Sequence, residues 1–524
     1  MGLIGLFRKL LGRKPSGPFP TAQVEKRPDF RKAQVSPVKT HLDAKIPHRI
    51  SVTIGLDFGT AATKCVINLE GANSGKDKFL AISFPVDSSA EGSICVPTSI
   101  GVQDNFLSFG YAAEELREEN IIRSVKMAIP CIDAQWGSYE SPFMLRKKPG
   151  YFQVKGHTLS ALDLSIMYLA VMIKQIKSQL SAYLIGKAEV GEVYLNIAAP
   201  LDHLVAYYDN VEYATKKDRN EILLGNVDRD TRLSDIYTKL GQWSLRLADK
   251  SQNPWDIADA LVLLNSIKQL GVRPLEKSPA YVIPEAHAAI SSYINRPRTR
   301  QGRFISFDVG AGTTDVSVFW LQKKDGLPKP SYYASGSLHS GMDDIDRYLS
   351  GLIPQVAGIP IRYRREQLEK DNQILKEYHT QCKSVVRQIG SHKSRVFGLA
   401  YHMERKLVNW GNKTQASVIL LMIGGGSQSE FLRRLSQSAL WENNLGSPRA
   451  EYLNLGHTDR VILPNGEELV LSEIPNWSEQ TKLLVIAEGL AQKIIDIPDY
   501  EIVSEPLFVR PPVSRNDYLV DHWW

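Results

Sequence analysis

Two segments of the chain share the layout of one β-hairpin. Residues 52–68 (VTIGLDFGTAATKCVIN) and residues 304–320 (FISFDVGAGTTDVSVFW) each contain an apolar strand, an Asp-x-Gly sequence, a turn of small residues and a second β-branched strand. The aspartates are Asp57 and Asp308, one in each half of the 524-residue chain. A supersecondary unit that recurs in this way favours two related lobes that face a common cleft.

The turns of both hairpins have the composition of an anion-binding loop. Their small side chains would let backbone N–H groups approach a phosphate directly. An aspartate beside a phosphate is repelled by it, so Asp57 and Asp308 would need a bridging Mg²⁺, an ion that usually keeps several of its waters. Either hairpin alone is equally compatible with a plain β-turn, and the prediction depends on the presence of both. The turn residues are Gly59, Thr60, Ala61, Gly310, Ala311, Gly312 and Thr313.

A third segment has the pattern of a buried strand that runs into a glycine-rich loop. Residues 418–423 are all apolar, and a loop of three glycines and a serine precedes a helix predicted from Ser429. Such a loop suits close packing against a nucleoside. The sequence has no GxxxxGKS or GxxxxGKT pattern, and the second hairpin turn lacks the third glycine of a dinucleotide fingerprint, which excludes P-loop and Rossmann sites. The loop residues are Gly424, Gly425, Gly426 and Ser427.

Charge and cysteine content exclude several classes of function. The net charge is +6, but residues 1–50 hold eleven Lys and Arg against three Asp and Glu, so the basic excess belongs to an N-terminal extension and no nucleic-acid partner is predicted. The four cysteines form no CxxC pair and the N-terminus has no secretory pattern, which predicts a cytoplasmic protein without disulfides or a zinc site. Residues 164–173, the longest apolar stretch, are too short to span a bilayer and are predicted to form a buried helix segment.

The two ends of the chain differ in pattern from the middle. Residues 1–14 predict a short basic amphipathic helix, which would contact either a membrane surface peripherally or a partner protein; the alternative is a disordered leader. A proline-rich tether follows to residue 48. The stretch from residue 501 is proline-rich, ends in two tryptophans and is predicted to be an irregular tail. Between these ends, β-rich runs alternate with helical patterns, which predicts an α/β architecture.

These motifs together resemble the superfamily of actins, sugar kinases and 70-kDa heat-shock chaperones. Residues 57–60 and 308–315 are similar to its two phosphate motifs, residues 424–427 to its adenosine motif, and residues 284–289 to its first connecting helix. The resemblance implies a two-lobed actin-like ATPase fold, in which duplicated ribonuclease-H-like domains enclose a nucleotide cleft. The domains it implies are 1–48, basic helix and tether; 49–300, lobe I; 301–482, lobe II; 483–500, a closing helix returning to lobe I; and 501–524, the C-terminal tail.

Further segments favour the chaperone branch of this superfamily. Residues 96–99, 109–113 and 124–126 are similar in order and spacing to the chaperone stretch that ends in its catalytic lysine. Residues 339–346 are similar to a chaperone segment that lines the nucleotide pocket, although Met342 replaces a glycine. This similarity implies nucleotide contacts at Gly341 and Asp343.

The resemblance also implies roles for individual residues. Asp57 and Asp308 would hold hydrated Mg²⁺, and Asp315 would orient water or metal. Lys126 and Glu285 would place the attacking water, while Thr60, Thr313 and the backbone of residues 310–312 would hold the β- and γ-phosphates. The alternatives are a solvated lysine for Lys126, a favourable first-turn acid for Glu285 and a strand-edge carboxylate for Asp315. Thr63 and Lys64 receive no role.

The function implied is that of an ATP-driven switch. Such a protein would bind ATP or ADP with Mg²⁺, hydrolyse ATP slowly, and work through a protein partner or co-chaperone, because residues 495–524 are too few for a client-binding domain. The alternative is a filament-forming actin-like protein, since residues 201–225 resemble the plasmid-segregation actins. A sugar or acetate kinase ranks last because no substrate motif is recognisable.

Overall fold

The computed structural model describes the central part of the chain with several gaps. The segments predicted as an amphipathic helix and tether (1–48) and the tryptophan pair lie outside the described residues, as do residues 202–231 and His339. The described residues are 49–73, 76–86, 92–133, 141, 143–201, 232–250, 255–273, 279–294, 301–324, 327–338, 340–350, 389, 419–429, 449–452, 455–474, 481–493 and 501–509.

Strands and helices follow one another along these segments. The strands are β1 (Arg49–Phe58), β2 (Ala62–Asn73), β3 (Lys76–Ile82), β4 (Phe84–Pro85), β5 (Gly92–Ser93), β6 (Val96–Pro97), β7 (Ser99–Gln103), β8 (Phe106–Phe109), β9 (Ile121–Arg123), β10 (Tyr151–Val154), β11 (His157–Ser160), β12 (Glu189–Ala199), β13 (Trp255–Asp256), β14 (Ala280–Pro284), β15 (Gly302–Val309), β16 (Thr314–Lys324), β17 (Leu327–Leu338), β18 (Ile419–Ile423), β19 (Arg449–Tyr452), β20 (Arg460–Ile462), β21 (Glu468–Val470) and β22 (Glu501–Val509). The α-helices are α1 (Tyr111–Glu114), α2 (Ala161–Leu184), α3 (Arg232–Lys250), α4 (Ile257–Gln269), α5 (Glu285–Ile294), α6 (Met342–Ser350) and α7 (Val485–Leu490). Short 3₁₀ turns occupy Glu118–Asn120, Val125–Ala128, Pro130–Asp133, Gly425–Gln428 and Leu471–Glu473.

Two large sheets repeat one topology. The first has the order β14-β12-β1-β2-β3-β20-β21, with β6 also paired to β2, and the second has the order β19-β18-β15-β16-β17-β22. In both sheets the first hairpin is antiparallel, the third strand continues antiparallel, and two further strands lie parallel on the other side. The repeat predicted from the two hairpins therefore extends to five strands in each sheet, and the α/β class is confirmed.

The central strand and the longest helix form the main core. Strand β1 is buried on both faces from Val52 to Phe58, which matches its nearly continuous apolar sequence. Helix α2 begins with a capping box, in which the Ser160 hydroxyl accepts from the Asp163 amide and the Asp163 carboxylate accepts from the Ser160 amide. Its predicted apolar stretch is buried in the same core as β1. Among the described residues, no helix has both the length and the apolar character needed to cross a membrane.

Helices α5 and α7 cross at very short range beside the first sheet. A Cβ at Gly489 would lie 1.7 Å from the carbonyl oxygen of Ala288, and a Cβ at Gly55 would lie 2.3 Å from that of Ala487. Only glycine permits both approaches. Helix α7 lies within the segment predicted as a closing helix, and the Asn196 side chain of β12 donates to the carbonyl of Leu490 at its end.

A late hairpin covers the outer edge of the first sheet. Although residues 460–470 fall in the segment predicted as lobe II, β20 pairs in parallel with β3 and β21 pairs with β20. The Glu468 carboxylate accepts hydrogen bonds from Lys78, Tyr183 and Arg460 at 2.7 to 2.9 Å. Burial by itself raises the pKa of Glu468, but these donors lower it to about 2. The carboxylate therefore stays ionised and fixes the hairpin to β3 and α2.

The C-terminal stretch differs from the irregular tail predicted for it. Residues 501–509 form β22, which pairs in parallel with β17 at the edge of the second sheet. Pro506 interrupts the apolar pattern, but a proline is tolerated at an edge position because it has no N–H to contribute. The register shifts between Tyr332 and Ala334 of β17, which accommodates the irregular middle of β22.

Candidate functional site

The turns of the two repeated hairpins face each other. A Cβ at Gly312 would lie 2.9 Å from Cγ2 of Thr60 and 3.1 Å from the sulfur of Met127. A larger residue at position 312 would require the side chains of Thr60 and Met127 to shift. The hairpins thus bring the ends of β1 and β15, and the aspartates they carry, to one place.

In the first hairpin, Asp57 forms an ion pair that the sequence did not reveal. Asp57 is the last residue but one of β1, and Lys64 lies directly opposite it on β2. The Lys64 ammonium donates to Oδ2 of Asp57 at 2.8 Å, and the carboxylate is buried. Burial by itself lowers the pKa of Lys64, but Asp57, Cys95 and Asp308 outweigh this and the net pKa is raised. Lys64 is therefore a permanent cation in the site.

In the second hairpin, two carboxylates occupy the equivalent positions. Asp308 pairs with Asp315 in the register of β15 and β16, and the Ser337 hydroxyl of β17 donates to Asp315. Burial, and then the negative charges of Glu285 and Asp57, raise the pKa of Asp308 to about 7. At neutral pH a cation placed beside Asp308 would therefore favour the ionised form of its carboxylate.

Lys126 and Glu285 form a buried ion pair between the two hairpins. Their Nζ and Oε1 atoms are 2.5 Å apart, and each residue is 8% exposed. Lys126 belongs to the 3₁₀ turn that follows Ser124, whose φ of 53° is left-handed, and Glu285 opens α5 directly after β14. Burial by itself lowers the pKa of Lys126, but Glu285, Asp57 and Asp315 raise it overall. The burial does not fit the alternative of a solvated lysine at Lys126, whereas Glu285 does stand in the first turn of α5, as its alternative of a favourable first-turn acid requires.

The glycine-rich loop after β18 lies against the second hairpin. Gly424 has a left-handed φ of 76°, and a Cβ there would lie 2.0 Å from Oδ1 of Asp308. A Cβ at Gly426 would lie 2.7 Å from the carbonyl of Val309, whereas Gly425 is exposed. Glycine is therefore required for the loop to touch Asp308. Residues 425–428 form a 3₁₀ turn, the side chain of Ser427 lies outside the described residues, and so does the helix predicted after Ser429.

The start of α6 supports the second turn from behind. The amides of Met342 and Asp343 donate to the carbonyls of Gly310 and Ala311 at 3.1 and 2.8 Å. A Cβ at Gly341 would lie 2.4 Å from the carbonyl oxygen of Ala311. In this structure Gly341 and Asp343 hold the turn, while their predicted contact with a nucleotide stays a prediction.

The remaining turn residues complete the two loops. The Gly59 amide donates to the carbonyl of Asp57 at 3.1 Å, and the Gly310 amide donates to that of Thr313 at 2.8 Å. The carbonyl of Ala61 accepts from the Thr98 amide at 2.9 Å. Every predicted turn residue therefore lies in one of the two facing loops.

The site has an excess of negative charge. Four carboxylates, those of Asp57, Glu285, Asp308 and Asp315, interact with the ammonium groups of Lys64 and Lys126. Within the described part of the chain, no group of three or more His, Cys, Asp or Glu side chains is arranged to hold a metal ion by itself. A cation in this place would take further oxygen ligands from water or from a bound molecule.

Sequence reasoning missed Lys64, although a signal was present. Lys64 and Asp315 stand at the same position of the two repeats, seven residues after the repeated aspartate. Since the residues facing Asp57 and Asp308 follow from hairpin register, the pair could have been found by aligning the two halves. The two hairpins have one shape and opposite charges at this point.

Comparisons with known proteins do not assign the chain to a family. No family model matches it, and no curated protein sequence matches it significantly. A function is therefore inferred from the site residues and their arrangement.

Proposed function

We propose that the chain is a Mg-ATP-binding and slowly ATP-hydrolysing switch with a two-lobed actin-like fold of duplicated ribonuclease-H-like domains. The single observation that supports this most is that two repeated hairpin turns meet around Asp57, Asp308, Lys126 and Glu285. The fold assignment is supported by two units of five strands that have the same strand order and the same strand directions. Helices α5 and α7 pack in one core with strands of the second unit. The α/β class alone would fit many other functions.

Backbone donors in both turns suit the phosphates of a nucleotide. Within the described residues, the N–H groups of Thr60, Ala311 and Gly312 have no hydrogen-bond partner. Successive free N–H groups in a tight turn form a concave anion site. Lys64 and Lys126 add two buried or half-buried positive charges. A polyphosphate is the ligand that uses donors from both sides at once.

The carboxylates suit a divalent cation that accompanies the phosphates. Asp308 and Asp57 would hold Mg²⁺ through its waters, and Asp315 would orient one of these waters. When bound, Mg²⁺ would offset charge that builds up on the phosphates. The raised pKa of Asp308 fits this assignment. The buried carboxylate resists ionisation when the site is empty of cations, and a bound cation would make its ionised form favourable.

Lys126 and Glu285 are suited to position an attacking water. Their ion pair fixes both side chains in a buried place beside the facing turns. Phosphoryl transfer requires orientation and charge stabilisation more than covalent help from the protein. Slow turnover is expected of a protein in which hydrolysis serves as a timer.

Binding and turnover test this proposal separately. We expect the full chain to bind Mg-ATP and Mg-ADP in calorimetry and to hydrolyse ATP slowly. Lys126→Met should retain ATP binding within a few-fold and reduce turnover by about 100-fold, since one preorganised charge is lost. The control is Lys187→Met, because Lys187 lies outside the site. It stacks on the ring of Tyr183, whose hydroxyl bonds to Glu468. Absence of Mg-ATP binding by the wild-type chain would refute the function.

The chaperone type is the form of switch we propose, acting in the cytoplasm through a protein partner or co-chaperone. It is supported by the order of the segments that lead to Lys126, which resembles the chaperone stretch. Contact of residues 1–14 with a membrane surface is a further proposal. Vesicle flotation of the full chain and of a chain that starts at residue 15 would test this contact.

A filament-forming actin-like protein is the second candidate. It is favoured by the resemblance of residues 201–225 to the plasmid-segregation actins. Sedimentation and electron microscopy at micromolar protein with Mg-ATP separate the two functions. Polymers would favour the filament, and monomers that still hydrolyse ATP would favour the switch.

A further inference from the structure

Thr98 holds two carbonyl groups of the first turn. Its hydroxyl donates to the carbonyl of Gly59 at 2.8 Å, and its amide donates to the carbonyl of Ala61 at 2.9 Å. Thr98 is 1% exposed, so water does not compete for these bonds. Both carbonyls are therefore fixed towards Thr98.

The orientation of a carbonyl determines that of the next N–H. In a trans peptide the C=O and N–H groups of one plane point in opposite directions. The carbonyl of Gly59 shares its plane with the amide of Thr60, so this N–H points away from Thr98. It has no partner among the described residues, and it belongs to the loop that faces Gly312.

Thr98 is itself held by the core of the first half. The Thr63 hydroxyl, 3.2 Å away, donates to Oγ1 of Thr98, because the single proton of Thr98 goes to Gly59. The Tyr168 hydroxyl of α2 donates to the carbonyl of Pro97 at 2.9 Å. Burial raises the pKa of Tyr168, so this donor stays protonated. Helix α2, the longest described helix, thereby fixes the segment that orients the turn.

The second turn reaches the same result by other means. There the carbonyls of Gly310 and Ala311 accept from the amides of Met342 and Asp343 at the start of α6. Backbone groups do this work in the second half, whereas a side-chain hydroxyl does it in the first. A side-chain hydroxyl therefore orients a carbonyl of the first turn directly, and a substitution at Thr98 can test it.

We propose that Thr98 is a positioning residue, which holds the peptide between Gly59 and Thr60 so that the Thr60 N–H binds a phosphate of the nucleotide. Thr98 touches no phosphate itself. This inference rests on the proposed function, since it names the residue that orients one of its anion donors.

Matched variants of the full chain test the role of the hydroxyl. Thr98→Val keeps the shape and the backbone amide but removes the bond to Gly59, and Thr98→Ser restores it. By calorimetry, Thr98→Val should bind Mg-ATP about tenfold more weakly, as expected when a hydrogen bond to a charged group is misaligned. Adenosine affinity should be unchanged, and Thr98→Ser should bind like wild type. Thr53→Val is the control, because it removes a buried hydroxyl of β1 that bonds to Glu70 and leaves Thr98 and its bond to Gly59 in place.

The outcomes distinguish this inference from the proposed function. A wild-type chain that fails to bind Mg-ATP refutes both. Unchanged Mg-ATP affinity in Thr98→Val, or an equal loss for adenosine, overturns the role of Thr98 alone. Hydrogen exchange of the wild-type Thr60 amide gives a test that does not require any variant to fold. Exchange should slow on addition of Mg-ATP and not of adenosine, and unchanged exchange with Mg-ATP bound would overturn the inference.

Discussion

Replacing Asp308 by asparagine is expected to stabilise the nucleotide-free protein while removing its response to Mg-ATP. Asp308 is half-buried beside Asp57 and Glu285, and its pKa is raised from 3.8 to about 7. An asparagine retains the shape and polarity of the side chain without a charge that must be desolvated. The residue that serves ligand binding therefore lowers the stability of the unliganded fold.

The magnitude follows from proton linkage. Between pH 5 and pH 7 the unfolded chain has an ionised Asp308, whereas the folded chain keeps it largely protonated, so stability falls as the pH rises. Each unit corresponds to about 1.4 kcal/mol, which gives an upper value of about 3 kcal/mol over these two units. Above about pH 8 both states are ionised and no further loss occurs. Asparagine has no such dependence, so the advantage of Asp308→Asn should grow by up to about 3 kcal/mol between pH 5 and pH 8.

Urea unfolding of the full chain without nucleotide, followed by tryptophan fluorescence at pH 5 and pH 8, measures this difference. Asp459→Asn is the control because Asp459 is exposed. Addition of Mg-ATP should raise the unfolding midpoint of the wild type but not that of Asp308→Asn. If the wild type and Asp308→Asn differ in free energy of unfolding by the same amount at pH 5 and pH 8, then ionised Asp308 does not destabilise the folded protein and the reasoning is wrong.

Three other substitutions probe one contact in the site and two contacts elsewhere in the fold. Lys64→Met should lower stability by about 3 kcal/mol, because Asp57 loses its ammonium partner in a buried position, and thermal unfolding of Lys64→Arg should show a smaller loss. Gly489→Ala should cost about 3 kcal/mol by urea unfolding, since its Cβ would overlap the carbonyl of Ala288 at 1.7 Å, and a stability equal to wild type would mean that the helices separate easily. Glu468→Gln should remove stability that is present above about pH 4.5 and lost as the pH falls towards 2, so equal acid unfolding of mutant and wild type would show that this clamp contributes nothing.

The centre of the fold could be predicted from sequence because its signals are local. The hairpins at Asp57 and Asp308 combine β-branched runs with small turn residues, and their recurrence indicates a common site. The buried strand before Gly424 and the helix after Ser160 were predictable for the same reason. In each case a residue's neighbours in sequence determine its environment.

The remaining parts depend on contacts between distant segments. The strands at Arg460 and Glu468 have only three residues each, and their place on the first sheet follows from pairing with β3. The roles of Lys64 and Thr98 depend on the groups that the fold places beside them, which are the Asp57 carboxylate and the Gly59 carbonyl. Strand β22 was not predicted because it contains Pro506. Whether a strand tolerates a proline depends on which of its sides is paired, and the sequence does not show this.

The hairpin of β20 and β21 also bears on how this molecule could be divided. A fragment that stopped after α5 would contain the five repeated strands of the first sheet, yet it would present the outer edge of β3 with open backbone donors and acceptors. Such an edge invites intermolecular pairing. If the two units descend from one duplicated ancestor, the first unit now depends on residues that follow the second hairpin in the chain. To produce the first unit as a separate soluble fragment, β20 and β21 would have to be replaced by another segment that covers β3.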